Sequence, residues 1–64
     1  MRILVKHNGD PIGVYRPIRD GEDPQMVMER SVRADYPASS IIEIRDGGAY
    51  AEWGEGFTNY SIVA

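Results

Sequence analysis

Along Arg2–Lys6 the aliphatics Ile3 and Val5 recur with period two, the spacing of a strand with one covered face. Asn8-Gly9 follows, a pair suited to a type I′ hairpin turn because both central positions need positive φ. Pro11–Arg16 then reads as the return strand. A two-residue loop at Asn8-Gly9 sets His7 opposite Asp10, Val5 opposite Ile12 and Ile3 opposite Val14. All four aliphatics then share a face, and Arg2, Leu4, Gly13 and Tyr15 share the other.

The period changes after a connector over Pro17–Glu22. Asp23-Pro24 is a helix start: the carboxylate accepts orphan N–H groups, and proline fits the first turn. At 100° per residue Val27, Met28, Ser31 and Val32 fall on one face, flanked by Tyr36. Glu29, Arg30 and Arg33 fall opposite, with Glu29 and Arg33 at ion-pair spacing, and Met26 lies among them, exposed. Pro37 disfavours helix at Tyr36. A helix of about three turns is unstable alone, so it must pack on a sheet.

Period two returns at Ile41–Arg45, with Ile42 and Ile44 on one face, followed by a turn at Asp46-Gly47-Gly48. Ala49–Trp53 and Phe57–Val63 are the last two strands, joined through Gly54-Glu55-Gly56. A loop at Glu55-Gly56 pairs Trp53 with Thr58, Ala51 with Tyr60 and Ala49 with Ile62. The small side chains of Ala49 and Ala51 leave room for the helix. The pattern predicts one α+β domain over residues 1–64: a ββαβββ chain, an antiparallel-rich sheet and one helix packed on one of its faces. Hairpin adjacency gives the strand order 2-1-5-4-3.

If the helix covers one face, the other carries Arg2, Leu4, Lys6, Tyr15, Ile41, Glu43, Arg45, Tyr50, Glu52, Phe57, Asn59 and Val63. Apolar and aromatic groups ringed by mixed charge suit a protein-binding surface. The simpler reading is that strands favour aromatics wherever they lie. Burial of this face in a homodimer is a third reading.

Composition narrows the function. The chain has 64 residues, 42% hydrophobic and 27% charged, with no cysteine and a net charge of −3. That is globular composition, without disulfides, thiolate metal sites or cysteine nucleophiles. A secreted domain this small usually needs such staples, so a cytoplasmic location is expected. No apolar run is long enough for a signal peptide or a membrane span. Residues 1–19 carry four bases against Asp10, whereas residues 46–64 carry Asp46, Glu52 and Glu55 with no base. The acidic balance disfavours non-specific nucleic-acid binding.

The candidate chemistry is sparse. His7, the single histidine, has no partners fixed by spacing, and a turn-local contact with Asp10 is expected. Asp20-Gly21-Glu22-Asp23 lacks the length and alternation of a calcium loop and reads as helix capping. The glycine pairs join strand to strand, not strand to helix, and so are turns, not phosphate cradles. Asn59-Tyr60-Ser61 has the glycosylation pattern but falls inside a strand. Ser31, Ser39, Ser40 and Ser61 have no base other than His7. Neither catalysis, a metal nor a cofactor is expected.

The reading is a small non-catalytic protein-binding module docking on a larger protein through the open sheet face or an edge. By analogy it is an adaptor, regulator or inhibitor, of the kind phages and mobile elements carry. Its anchors are Tyr15, Tyr50 and Phe57, with Arg2, Arg45 and Glu52 at the rim. The acidic loop Asp20, Glu22 and Asp23 is a second contact. The alternatives are a single-stranded nucleic-acid binder using the same face, with Tyr15 and Tyr50 stacking beside Arg2, Lys6 and Arg45, and a structural homodimer or assembly subunit.

Overall fold

In the computed structural model, which describes residues 1–64, the chain forms β1 (Arg2–His7), β2 (Val14–Pro17), α1 (Pro24–Asp35), β3 (Ile41–Arg45), β4 (Gly48–Trp53) and β5 (Gly56–Val63). The strands make one sheet in the order β2-β1-β5-β4-β3, every neighbouring pair antiparallel. The helix lies on one face, across β4 and β5. This is the expected ββαβββ arrangement of one small α+β domain, in the expected strand order. No helix is long and apolar enough to cross a membrane.

Strand parity sorts the side chains as the alternation requires. Ile3, Val5, Ala49, Ala51 and Tyr60 are buried together with Met28 and Val32 of the helix. Val27, Tyr36, Ile42, Ile44 and Ile62 pack around them, half-buried. Each fully buried Met28 or Val32 side chain contributes about 1.5–3 kcal/mol over an exposed one. Ile18 completes this core from the connector after β2, where its N–H donates to the Met1 carbonyl at 3.2 Å. A lone apolar residue in a connector has no periodicity to mark it.

Asp23 caps the helix, its Oδ1 accepting from the Gln25 N–H at 3.0 Å, and Pro24 opens the first turn. Tyr36 is extended at φ −126°, as a residue before proline prefers. The Gln25 side-chain amide clamps the β3–β4 turn: it donates to the Arg45 carbonyl at 2.8 Å and accepts from the Gly47 N–H at 3.0 Å. Glu29 and Arg33 form no ion pair. Arg30 instead reaches Glu22 at 3.3 Å, because Glu22 is held beside the helix start by accepting the Arg19 N–H at 3.0 Å.

Two hairpin registers differ from expectation by two residues, an even step that leaves every face intact. In the first, Asn8 (φ 51°) and Gly9 (φ 76°) do turn the chain, and the Asp10 N–H donates to the His7 carbonyl at 3.0 Å. The return strand does not follow directly. Asp10 Oδ1 takes the Ile12 N–H at 2.9 Å, the donor that a continuous ladder would have sent to Val5. Gly13, at φ 78°, then passes so close that a Cβ there would sit 2.8 Å from the Val5 carbonyl oxygen. Val5 therefore pairs with Val14 and Ile3 with Arg16, and Ile12 is left in the loop, 80% exposed.

In the last hairpin the loop is Gly54-Glu55, not Glu55-Gly56. Glycine with φ 61° stands first, where a type II′ turn places it. Trp53 thus pairs with Gly56, Ala51 with Thr58 and Ala49 with Tyr60. Gly48 belongs to β4 rather than to the preceding turn, facing Arg45.

Candidate functional site

A five-stranded sheet is about 19 Å across between its outer strands, whereas a helix with its side chains covers only ~10–12 Å. With α1 over β4 and β5, the far ends of β1 and β2 stay uncovered on the helix side. The result is a groove of about 620 Å³ between the end of the helix and the first hairpin. Val5, Val14, Tyr36, Pro37 and Trp53 supply its apolar walls, and His7, Asp10, Arg16, Asp35 and Thr58 its polar groups. Trp53 (58% exposed) and Val14 (64% exposed) stand at the rim.

Two hydrogen-bond chains order the walls. Thr58, 2% exposed, shares its Oγ1 with His7 Nδ1 at 2.8 Å and with the Tyr36 hydroxyl at 2.6 Å. His7 faces Thr58 across the β1–β5 ladder, so its side-chain partner is this neighbouring strand and not the turn-local Asp10. The backbone already joins His7 to Asp10, which leaves the ring free to turn across the sheet. In the second chain Asp35 Oδ2 accepts from Arg16 at 2.8 Å and from the Tyr60 hydroxyl at 2.7 Å. Asp35 ends the helix, where the macrodipole disfavours a carboxylate by about 0.3–1 kcal/mol. Arg16 and Tyr60 offset that cost. Burial, followed by the hydrogen bond to Asp35 and the nearby carboxylate charge, pushes the Tyr60 phenol well above its ordinary pKa.

Thr58 with a neighbouring histidine has the outline of an activated nucleophile. The geometry gives it another role. Its hydroxyl is buried and engaged by both neighbours, so it fixes the His7 and Tyr36 side chains instead of facing a substrate. The His7 Nε2 makes no hydrogen bond within the chain.

The open face carries the sequence-identified anchors, in two groups. Tyr15 on edge strand β2 lies beneath the Arg2 guanidinium, 4.2 Å from carbon to ring centroid. Tyr50 and Phe57 sit side by side on β4 and β5, centroids 6.3 Å apart, with Glu52 directly opposite Phe57. Leu4 and Ser61 separate the groups in the cross-strand row Tyr15–Leu4–Ser61–Gly48–Arg45. The Arg45 guanidinium lies across Gly48, its Nη2 3.4 Å from where a Cβ would be. Desolvation of the half-buried Tyr50 ring, then the carboxylates of Glu52 and Glu43, raise its phenol pKa. In the acidic loop, Asp23 caps the helix and Glu22 holds Arg19 and Arg30. Asp20 alone is uncommitted.

Sequence reasoning missed the groove. Asp35 and Tyr36 at the end of the helix, Thr58 of β5 and Arg16 of β2 come from three separate elements and converge only through the β1–β5 pairing. One signal was present: an aspartate in the last helical turn, against the dipole. Compared with known protein families, curated proteins and solved structures, the chain matches none.

Proposed function

We propose that this chain is a small non-catalytic protein-binding module. Its groove receives an apolar side chain, carried on an exposed loop or extended segment of a larger protein. The observation that carries this reading is the composition of the groove: an exposed tryptophan and valine over a hydrogen-bonded floor. Indole at a concave rim combines a large contact area with few rotatable bonds, the pattern of interface anchors. The floor suits binding because its hydroxyls are already satisfied, so the pocket keeps its shape when empty. The adjoining β2 is an open sheet edge able to pair with an extended segment.

Nucleic-acid binding on the open face has less support. Glu43 and Glu52 flank Tyr50 there, and carboxylates beside the stacking ring repel phosphate.

The test is selection of displayed random peptides on the immobilised protein, repeated on Trp53→Ala and Val14→Asp. Both positions are exposed, so both variants fold. The wild type enriches peptides sharing one large apolar residue, and those peptides lose at least about 10-fold in affinity for either variant. Peptides that bind the variants as well as the wild type contradict the assignment, as does enrichment of nothing at all.

A further inference from the structure

The open face is patterned for one occupant in particular. Val5, Tyr60, Ala49 and Ile44 form a continuous row across β1, β5, β4 and β3, all pointing toward the helix. On the opposite face, each of these four strands carries one residue just before this row and one just after it. In β3 these are Glu43 and Arg45, in β4 Tyr50 and Gly48, in β5 Asn59 and Ser61, and in β1 Leu4 and Lys6. Phe57 and Val63 lie three residues to either side of Tyr60.

These are the pairs that a two-fold axis along the row exchanges when two sheets stack face to face. Glu43 then meets Arg45 of the second copy, and Arg45 meets its Glu43. Tyr50 comes over Gly48, which lies buried beneath the second copy's Arg45 guanidinium, so the ring stacks on that cation. Phe57 meets Val63, Ser61 meets Asn59, and the Lys6 stem runs over Leu4. Glu43–Arg45 is a charge match, Phe57–Val63 is apolar on apolar and Ser61–Asn59 polar on polar; at the margin Glu52, three residues past Ala49, is exchanged with Asp46, a like-charge pair that weakens the contact. An isologous interface needs such self-complementarity, since each contact occurs twice.

We infer that the open face is a self-association surface on which a second copy of this chain packs about that axis. Stacked sheets stand about 10 Å apart, a gap that an opposed Glu43–Arg45 pair spans. The footprint of five strands of about 20 Å is ~400 Å² in projection, and side-chain relief raises the buried surface to about 600–700 Å² per copy. That is slightly below the ~800 Å² per partner of a standard interface, the size of weak, transient contacts. This surface is opposite the groove. The inference does not depend on the proposed function, and Trp53→Ala leaves self-association unchanged.

Sedimentation equilibrium across about 1–500 μM is the experiment, on wild type, Glu43→Arg, Arg45→Glu and the double variant E43R/R45E. Circular dichroism checks that each is folded; these positions are exposed on an edge strand. Wild type passes from one chain mass to two over this range. Each single reversal sets like charges across the axis twice and weakens association at least about 10-fold. The double reversal restores it to within about 3-fold, because the exchanged charges again meet their opposites. A wild type that stays monomeric throughout overturns the inference. A dimer indifferent to the reversals, or one the double variant fails to restore, places the interface elsewhere and overturns it equally.

Discussion

Replacing Thr58 with valine removes one hydroxyl and keeps the shape and strand preference of the residue. The structure sets the size of the effect. Thr58 Oγ1 serves both His7 and the Tyr36 hydroxyl and is almost fully buried. Each lost hydrogen bond is worth about 0.5–1.5 kcal/mol net. The two losses are unequal. His7 is exposed and regains water, whereas Tyr36 is half-buried and its hydroxyl is left short of a partner. The expected destabilisation is therefore about 1–2 kcal/mol. Urea unfolding followed by circular dichroism reads it directly: with a slope near 1 kcal/mol/M for so small a domain, the midpoint falls by roughly 1–2 M. Tyr36→Phe in the valine background removes the orphaned hydroxyl and recovers part of the loss. The coupling between the two positions should be about 1 kcal/mol. A neutral Thr58→Val, or a coupling below about 0.3 kcal/mol, would mean that the chain through Thr58 does not hold the groove together.

Three further outcomes follow from the same structure. Folding raises the Tyr60 pKa, so the folded state keeps this proton while the unfolded chain loses it near pH 10. The stability contribution is complete below that pH and drains away as pH rises above it, and Tyr60→Phe should flatten the alkaline limb of a stability–pH profile. Gly13→Ala should cost at least about 2 kcal/mol in urea unfolding, combining the left-handed backbone (~1–2 kcal/mol) with a clash against the Val5 carbonyl; Gly21→Ala, with φ 87° but open space around it, should show the backbone part alone. Gln25→Ala should lower stability by about 1–2 kcal/mol and raise amide exchange at Gly47, whose N–H loses its acceptor.

The fold was legible because parity survives local error. Ile3, Val5, Ala49, Ala51 and Tyr60 reach the covered side in either register, since both hairpins slipped by two residues. What failed was turn geometry. The Asx turn of Asp10 with Gly13 behind it, and the glycine-first turn at Gly54, depend on backbone angles that residue identity only narrows. The groove was not legible for a different reason. It exists because one helix is too narrow for five strands, and because the helix settled over β4 and β5 rather than over β1. Nothing in the alternation of a strand says which part of a face a helix will leave bare. His7 shows the cost: its partner is 51 residues away in sequence and becomes a neighbour only when β1 joins β5. The open face, which parity alone defines, was read correctly down to its individual rings.

The most direct measurement is a chemical-shift map of the ¹⁵N-labelled protein titrated with a peptide selected on it. A peptide seated in the groove moves the amides of His7, Val14, Tyr36 and Thr58 and the indole N–H of Trp53, and leaves Leu4, Tyr50 and Phe57 where they were. Shifts concentrated on Tyr15, Tyr50 and Phe57, with Trp53 silent, would put partner recognition on the other side of the sheet and contradict the account.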